Sequence, residues 1–284
     1  MKLHASHPPS FTLATCNLSK SGIFTPFGKF LSHFFISAAE PKLFTEPVAA
    51  EKFADLWRQL SARLKSRANQ RVAYELMNEA VATNPDDWNR VAQLAFHAIR
   101  DREPARPIVL GSNRWNSALT FDQLQVPADQ STILTFHFYL PMLVTHHRAW
   151  WCPEGKMYAG PVQYPGAPIP AESLSQVQLP AADRLVKLDL NEINKPYDRS
   201  VMVAAIAKPL AVAQRTGLPL YCGEFGAIDL TPLPVRQAWY RDLISVFAEY
   251  RIGWAAWDYK AEFGIIDRHG RSTGIAEILL GHPK

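Results

Sequence analysis

Cysteine is scarce in this 284-residue sequence, with Cys16, Cys152 and Cys222 making up the whole set. Three scattered thiols supply neither the disulfide framework of a small secreted domain nor a paired Cys-x-x-Cys metal site, and they are read as free thiols. Long apolar runs are missing as well. Nothing approaches the roughly 18 uninterrupted residues that a membrane helix needs, so no membrane partner is expected. Charge of one sign is not concentrated anywhere: 30 Lys and Arg against 26 Asp and Glu leave a net charge of +4 and no basic block. That balance argues against nucleic acid as a partner. With 48% hydrophobic and 20% charged residues the chain is not a disordered one either. An export signal is not evident, because Pro8, Pro9, Ser10 and Asn17 interrupt what would be its apolar core. Neither a phosphate-cradling GxGxxG nor a P-loop occurs, and no cofactor is expected. What the sequence does have is aromatic residues, eight Trp and fifteen Phe among them, the side chains that stack on flat apolar faces such as sugar rings.

From residue 47 onward short apolar runs alternate with amphipathic stretches, the order of βα units around a parallel sheet. Residues 47 to 66 place Phe53, Leu56, Trp57, Leu60 and Leu64 at helical spacing. Asn84-Pro85-Asp86-Asp87 is a helix start, with an N-cap residue, proline at the first helical position and acids facing the helix dipole. Trp88, Val91, Ala92, Ala95 and Ile99 then form one apolar face. Ser200 to Thr216 reads as a helix kinked at Pro209 and stopped by Gly217. Five strands are predicted, over residues 71–79, 107–113, 131–139, 218–227 and 252–259. Between the third and fourth, residues 140 to 200 are rich in Pro, Gly, Trp and Tyr, more than a simple connection requires, and predict an elaborated loop.

The polar residues of these strands gather at their C-terminal ends. Glu79 and Glu224 both stand where an apolar strand turns polar, 145 positions apart in sequence. A glutamate at a strand end is ordinarily a solvated or ion-paired loop residue. In a closed parallel barrel, however, all C-terminal strand ends share one face, so two distant glutamates can meet over one pocket. Paired carboxyl groups of that kind hydrolyse glycosidic bonds, one as proton donor and the other as nucleophile. Adjacent His146 and His147 on an extended segment would point to opposite sides, which disfavours a shared ion, and the His4-x-x-His7 pair is weaker still; no metal is expected.

YELMNEA at 74–80, FHFY at 136–139, YCGEFGA at 221–227 and GWAAWDYKAEFGI at 253–265 together resemble the strand-end motifs of glycoside hydrolase family 5, the cellulase-like family, in the family's own order. The likeness runs over about residues 45 to 280. It implies a TIM (β/α)8-type barrel and a retaining glycosidase acting on a polysaccharide or oligosaccharide, most simply an endo-β-1,4-glucanase. A β-mannanase or another β-glucanase is the alternative within the family. Matched residue by residue, Glu79 takes the place of the general acid/base and Glu224 that of the nucleophile. Asn78 matches the residue that binds the sugar 2-hydroxyl, His137 and Tyr139 the pair that orients the carboxylates, and Trp257 the platform under the sugar. Trp254 lies three residues earlier and is read as core, whereas Trp115 is open between lining a subsite and packing. The family is usually secreted, which the sequence alone does not decide.

The resemblance stops at the N-terminal end. The family's barrel has three strands before the Asn-Glu strand, the second carrying an arginine that supports the nucleophile. Here the first arginine is Arg58, already on the helix leading into that strand, and Lys29 lacks the planar two-pronged guanidinium. The five predicted strands match the family's fourth to eighth, and a βα unit usually takes 30 or more residues. Residues 1–40 are therefore read as an atypical, truncated or rearranged N-terminal segment, and 41–284 as the catalytic domain. Phe11 to Asn17 and Ile23 to His33 have the composition of short strands, and Phe30 to Ser37 that of a relic of the third. A barrel so reduced raises a competing expectation, a carbohydrate-binding pseudoenzyme that keeps the aromatic cleft and turns over little.

Overall fold

The computed structural model describes residues 28–31, 42–179 and 188–281. Its sheet has six parallel strands: β1 (Gly28–Leu31), β2 (Val72–Glu75), β3 (Ile108–Gly111), β4 (Thr132–Phe138), β5 (Leu220–Phe225) and β6 (Gly253–Trp254). Spatial order follows sequence order throughout, so each strand is hydrogen-bonded to the next one along the chain. A parallel sheet wound in one direction only is the wall of a (β/α)8-type barrel. Among the described residues no ladder joins β6 to β1, and the wall is incomplete on its N-terminal side.

β1 is a strand beyond the five predicted ones. It falls within Ile23–His33 and pairs with β2, Gly28 against Val72 through Leu31 against Glu75. That is the place of the strand before the Asn-Glu strand, which Phe30 and Leu31 occupy. The other residues of the N-terminal candidate strands, together with Cys16, His4 and His7, lie outside the described residues.

The helices cover the outer face of the sheet. Helix α1 (Pro47–Leu64) buries Ala50, Phe53, Ala54, Trp57 and Ser61. Leu56, expected on that stripe, is 38% exposed, because the buried line runs through the small residues one turn apart and leaves position 56 on the flank. Helix α2 (Pro85–Arg100) starts as predicted, with Asn84 Oδ1 accepting from the Asp86 N–H at 3.1 Å, and buries all five residues of its apolar face. The helix expected over 200–216 is two helices, α3 (Arg199–Ala205) and α4 (Ala207–Thr216). They break at Ile206, not at Pro209, since the proline ring crowds the carbonyl four residues back, that of Ala205. Gly217 ends α4 in the left-handed region, at φ 70°. Helix α5 (Leu233–Tyr250) packs Trp239, Tyr240 and Phe247 against Phe225, and Phe247 also meets Phe136. A last short helix, α6 (Ile275–Leu280), lies against α5.

The elaborated segment between β4 and β5 carries a small core of its own, Leu143, Met157, Tyr158, Val162 and Ile169, separate from the main one. It is tied to α5 by the Tyr164 hydroxyl, which donates to Asp242 at 2.8 Å. Cys152 and Cys222 are buried thiols in no disulfide among the described residues. No helix among the described residues is long and apolar enough to cross a membrane.

Three buried tryptophans fix the rim of the wall. Trp57 on α1 donates its indole N–H to the Leu76 carbonyl at 3.3 Å, Trp88 on α2 to Gly111 at 2.9 Å, and Trp239 on α5 to Leu140 at 2.9 Å. Each acceptor lies at or just beyond the C-terminal end of β2, β3 or β4, where the chain leaves the ladder and its carbonyls need other partners. The loops that follow therefore start from anchored points.

Candidate active site

The chain emerges from β2 through Leu76, Met77 and Asn78 to Glu79, which takes a left-handed backbone at φ 55°. A non-glycine residue held there stores of order 1–3 kcal/mol of strain, and such residues cluster at functional sites. The Glu79 carboxyl reaches His137 on β4, with Oε1 2.8 Å from Nδ1. Glu224 arrives from β5 by way of a bulge. Along β4 the step from Phe136 to His137 is one residue, while the matching step on β5 runs from Cys222 to Glu224, and the extra residue is Gly223. Phe136 packs outward on Phe247, so strict alternation from its partner Cys222 would have aimed Glu224 away from the barrel interior. The bulge brings it level with His137, whose Nδ1 lies 3.6 Å from Glu224 Oε2.

The resulting site is compact. One ligating atom each from Glu79, His137 and Glu224 lie within 4.8 Å of one another. Their exposures differ: the Glu79 side chain is 30% accessible, Glu224 11% and His137 2%. Tyr139 donates its hydroxyl to Glu224 Oε2 at 3.1 Å. Burial, and then the negative charges of Glu224 and Glu79, hold that phenol well above its ordinary range, so it stays protonated as a donor. Among the described residues no lysine or arginine reaches Glu224, in keeping with the arginine missing from the sequence. Among the described residues the buried Asn78 Oδ1 has no hydrogen-bond partner.

Trp257, beyond the end of β6, is half-buried and packs on the cluster of Ala149, Cys152, Ile228 and Phe263, as Tyr139 and Met142 also do. Its N–H donates to the Phe225 carbonyl at 2.9 Å, and its own carbonyl occupies the space of a Cβ at position 226, only 2.1 Å away, which only glycine permits. Trp254 is buried against Phe225, on the core side as expected. Trp115 is 43% exposed beyond β3. The sequence reading thus places Asn78, Glu79, His137, Tyr139, Glu224 and Trp257 at one end of the sheet, and the structure brings the two glutamates, His137 and Tyr139 into direct contact.

One contributor went unseen in the sequence, and a second was weighed there only as a metal ligand. Asn116 sits directly behind His137, with Nδ2 3.2 Å from Nε2, and His146 packs edge-on against Tyr139 at 5.1 Å and Phe263 at 5.2 Å. His146 also shares its Nδ1 with the Thr145 hydroxyl at 3.0 Å, a packed and satisfied histidine. Burial pushes His146 down to about 4, and burial with the Arg148 charge does the same to His147. Both fold neutral. The unfolded chain takes up their protons at ordinary histidine values near 6.5, so this stability is present above pH 6.5 and is lost as pH falls toward 4. Calorimetry across that window is expected to show a falling melting temperature with a shallower slope in His146→Gln; equal slopes would contradict it.

Carboxyl oxygens within 4.8 Å of each other lie nearer the roughly 5 to 5.5 Å of retaining glycosidases than the 6.5 to 9.5 Å of inverting ones. The sequence profile "Cellulase (glycosyl hydrolase family 5)" matches residues 38–263. The chain belongs to glycosyl hydrolase family 5. It is accordingly a glycosidase, hydrolysing O-glycosyl bonds. Endoglucanase C of Acetivibrio thermocellus is 33% identical to this family 5 chain over 240 residues, covering 84% of it and 68% of the relative. Cellodextrinase A of Ruminococcus flavefaciens is 27% identical over 220 residues, 77% of this chain and 56% of its own. Among solved structures, a mutant form of Thermotoga maritima Cel5A in complex with cellobiose superposes with a TM-score of 0.69 at 21% identity, over 89% of this chain and 71% of that one. That last likeness speaks to the family 5 barrel fold.

Proposed function

We propose that this family 5 enzyme is an endo-β-1,4-glucanase that works by double displacement, with Glu224 as nucleophile and Glu79 as acid/base. The observation that carries the reading is the convergence of the two carboxyl groups, with ligating oxygens within 4.8 Å across His137. In the first step Glu224 attacks the anomeric carbon while Glu79 gives its proton to the departing glycosidic oxygen, leaving a glucosyl ester on Glu224. In the second, Glu79 takes a proton from water, the water oxygen bonds to the same carbon, and Glu224 leaves. The accessibility difference supports this division of labour, since the proton must travel to and from groups that come and go with substrate and water. Asn78 Oδ1 is suited to accept from the 2-hydroxyl, and the Trp257 ring to underlie the sugar. The β-1,4-glucan specificity rests on the endoglucanase relatives.

Viscosity and reducing ends are to be measured together on carboxymethylcellulose, with mannan and xylan alongside. Endo action predicts a steep fall in viscosity for few new ends, and preference for the glucan; turnover of mannan alone would overturn the assignment of substrate. A second expected result concerns Tyr139→Phe. Hydrogen bonds to a charged group contribute about 1.5–3 kcal/mol, so kcat/KM is expected to fall about ten- to a hundredfold. An unchanged value in steady-state kinetics would remove Tyr139 from the machinery.

A further inference from the structure

Asn116 lies at the end of a turn that few sequences would tolerate. Arg114, Trp115 and Asn116 are left-handed in succession, at φ 57°, 61° and 53°. Each such residue is disfavoured by roughly 1–2 kcal/mol, so the turn needs support from outside. Asn113 supplies it by clamping Ala82 twice, donating to its carbonyl and accepting from its N–H, both at 2.8 Å. The Ser112 hydroxyl donates to the Ser117 carbonyl at 2.6 Å, and the Trp115 N–H to the Ala80 carbonyl at 3.1 Å. What the turn delivers is one amide, fully buried, laid over Gly111 where any Cβ would come within 2.6 Å of it.

That amide presents Nδ2, a group that only donates, to Nε2 of His137. With the amide so oriented Nε2 accepts and the ring proton sits on Nδ1, where it donates to Glu79 Oε1. Protonating Nε2 would set two N–H donors against each other in a buried space. Without that obstacle the ring, flanked by carboxylates at 2.8 and 3.6 Å, would favour the imidazolium form. Among the described residues the titratable groups that meet it are Glu79 from beyond β2 and Glu224 from β5, with Tyr139 of its own strand bonded to Glu224; from the β3 side the ring meets the neutral Asn116 amide.

Resting on the role proposed above for Glu79 as acid, we infer that Asn116 is the positioning residue that keeps His137 neutral, so that the site's mobile proton resides on Glu79. Nδ1–H donates to Oε1, and the carboxyl carries the proton that moves to the glycosidic oxygen as the bond to carbon breaks. An imidazolium in place of the neutral ring would hold Glu79 ionised and leave the first step without its acid, while the second step, which needs Glu79 as base, would be spared.

Asn116→Asp tests this, because its carboxylate accepts from Nε2–H and invites the second ring proton. Nitrogen-15 NMR, with the His137 signals identified by their loss in His137→Gln, is expected to show a proton on Nδ1 alone in the wild type and on both nitrogens in Asn116→Asp near neutral pH. The basic limb of the kcat/KM profile should move to lower pH in the variant. Turnover of glucan should fall by about the 10²- to 10⁴-fold worth of general acid catalysis, while an aryl cellobioside with a dinitrophenolate leaving group, which departs unprotonated, stays within a few-fold. A wild-type proton on Nε2 overturns the inference even if the variant fails to fold, and so does an Asn116→Asp enzyme with the wild-type profile. Glu79→Ala run in parallel separates the two levels: if it leaves glucan turnover intact the acid assignment itself fails, whereas if it shows the leaving-group dependence and Asn116→Asp does not, only the role of Asn116 falls.

Discussion

Glu224→Gln is expected to abolish turnover of β-1,4-glucan and of activated aryl glycosides alike. The amide keeps the size of the carboxylate but has no negative charge with which to attack or to hold the developing oxocarbenium ion, and no leaving-group chemistry compensates for a nucleophile that is gone. The loss should exceed the roughly 10⁴-fold upper end for general acid–base catalysis, measured as kcat/KM on both substrates. Because Glu224 is nearly enclosed and meets Tyr139 and His137, the variant keeps its packing, and its melting temperature should stay close to wild type. Residual activity within a hundredfold of wild type on either substrate would mean that another group attacks.

Glu79→Ala is expected to behave differently. Removing a proton donor harms substrates in proportion to how badly their leaving oxygen needs the proton, so glucan turnover should drop by about 10²- to 10⁴-fold and a dinitrophenyl glycoside far less in its first step. The second step then slows for both, since no base activates water, and a burst of phenolate followed by slow turnover is the kinetic sign. Azide, small enough for the space left by the carboxyl and needing no base, should restore release and give a glycosyl azide of retained configuration. Equal losses on both substrates, without burst or rescue, would remove Glu79 from the acid/base role.

Much of this site was legible in the sequence because its chemistry is concentrated at strand ends, where an apolar run gives way to Asn78-Glu79, His137-Phe138-Tyr139 or Gly223-Glu224. A parallel barrel gathers such ends on one face, so residue order together with the family-like motifs around them paired glutamates 145 positions apart. The bulge at Gly223 was not legible: period-two alternation gives no sign of where a ladder slips by one residue. Asn116 was hidden for a related reason. Its position depends on three left-handed residues and on contact between neighbouring strands, while the sequence GSNRWNS offers only a polar loop; the run of small amide and hydroxyl residues after a strand was the one available signal. On α1, Leu56 fits the helical period and yet is exposed, because small Ala50, Ala54 and Ser61 allow the closer approach that defines the buried line. At the N-terminal side, β1 shows a short strand beside β2 where composition allowed one without requiring it.

In the proposed reaction a sugar becomes covalently attached to Glu224 while Glu79 manages the proton. A 2-deoxy-2-fluoro-β-cellobiosyl fluoride tests it most directly, since the fluorine slows both steps and the reactive leaving group favours the first, so that the ester accumulates. Intact-mass spectrometry should show one added fluorocellobiosyl group per chain, and peptide mapping should locate it on Glu224. Attachment at a different residue, or release of the α-anomer with no ester formed, would contradict the account.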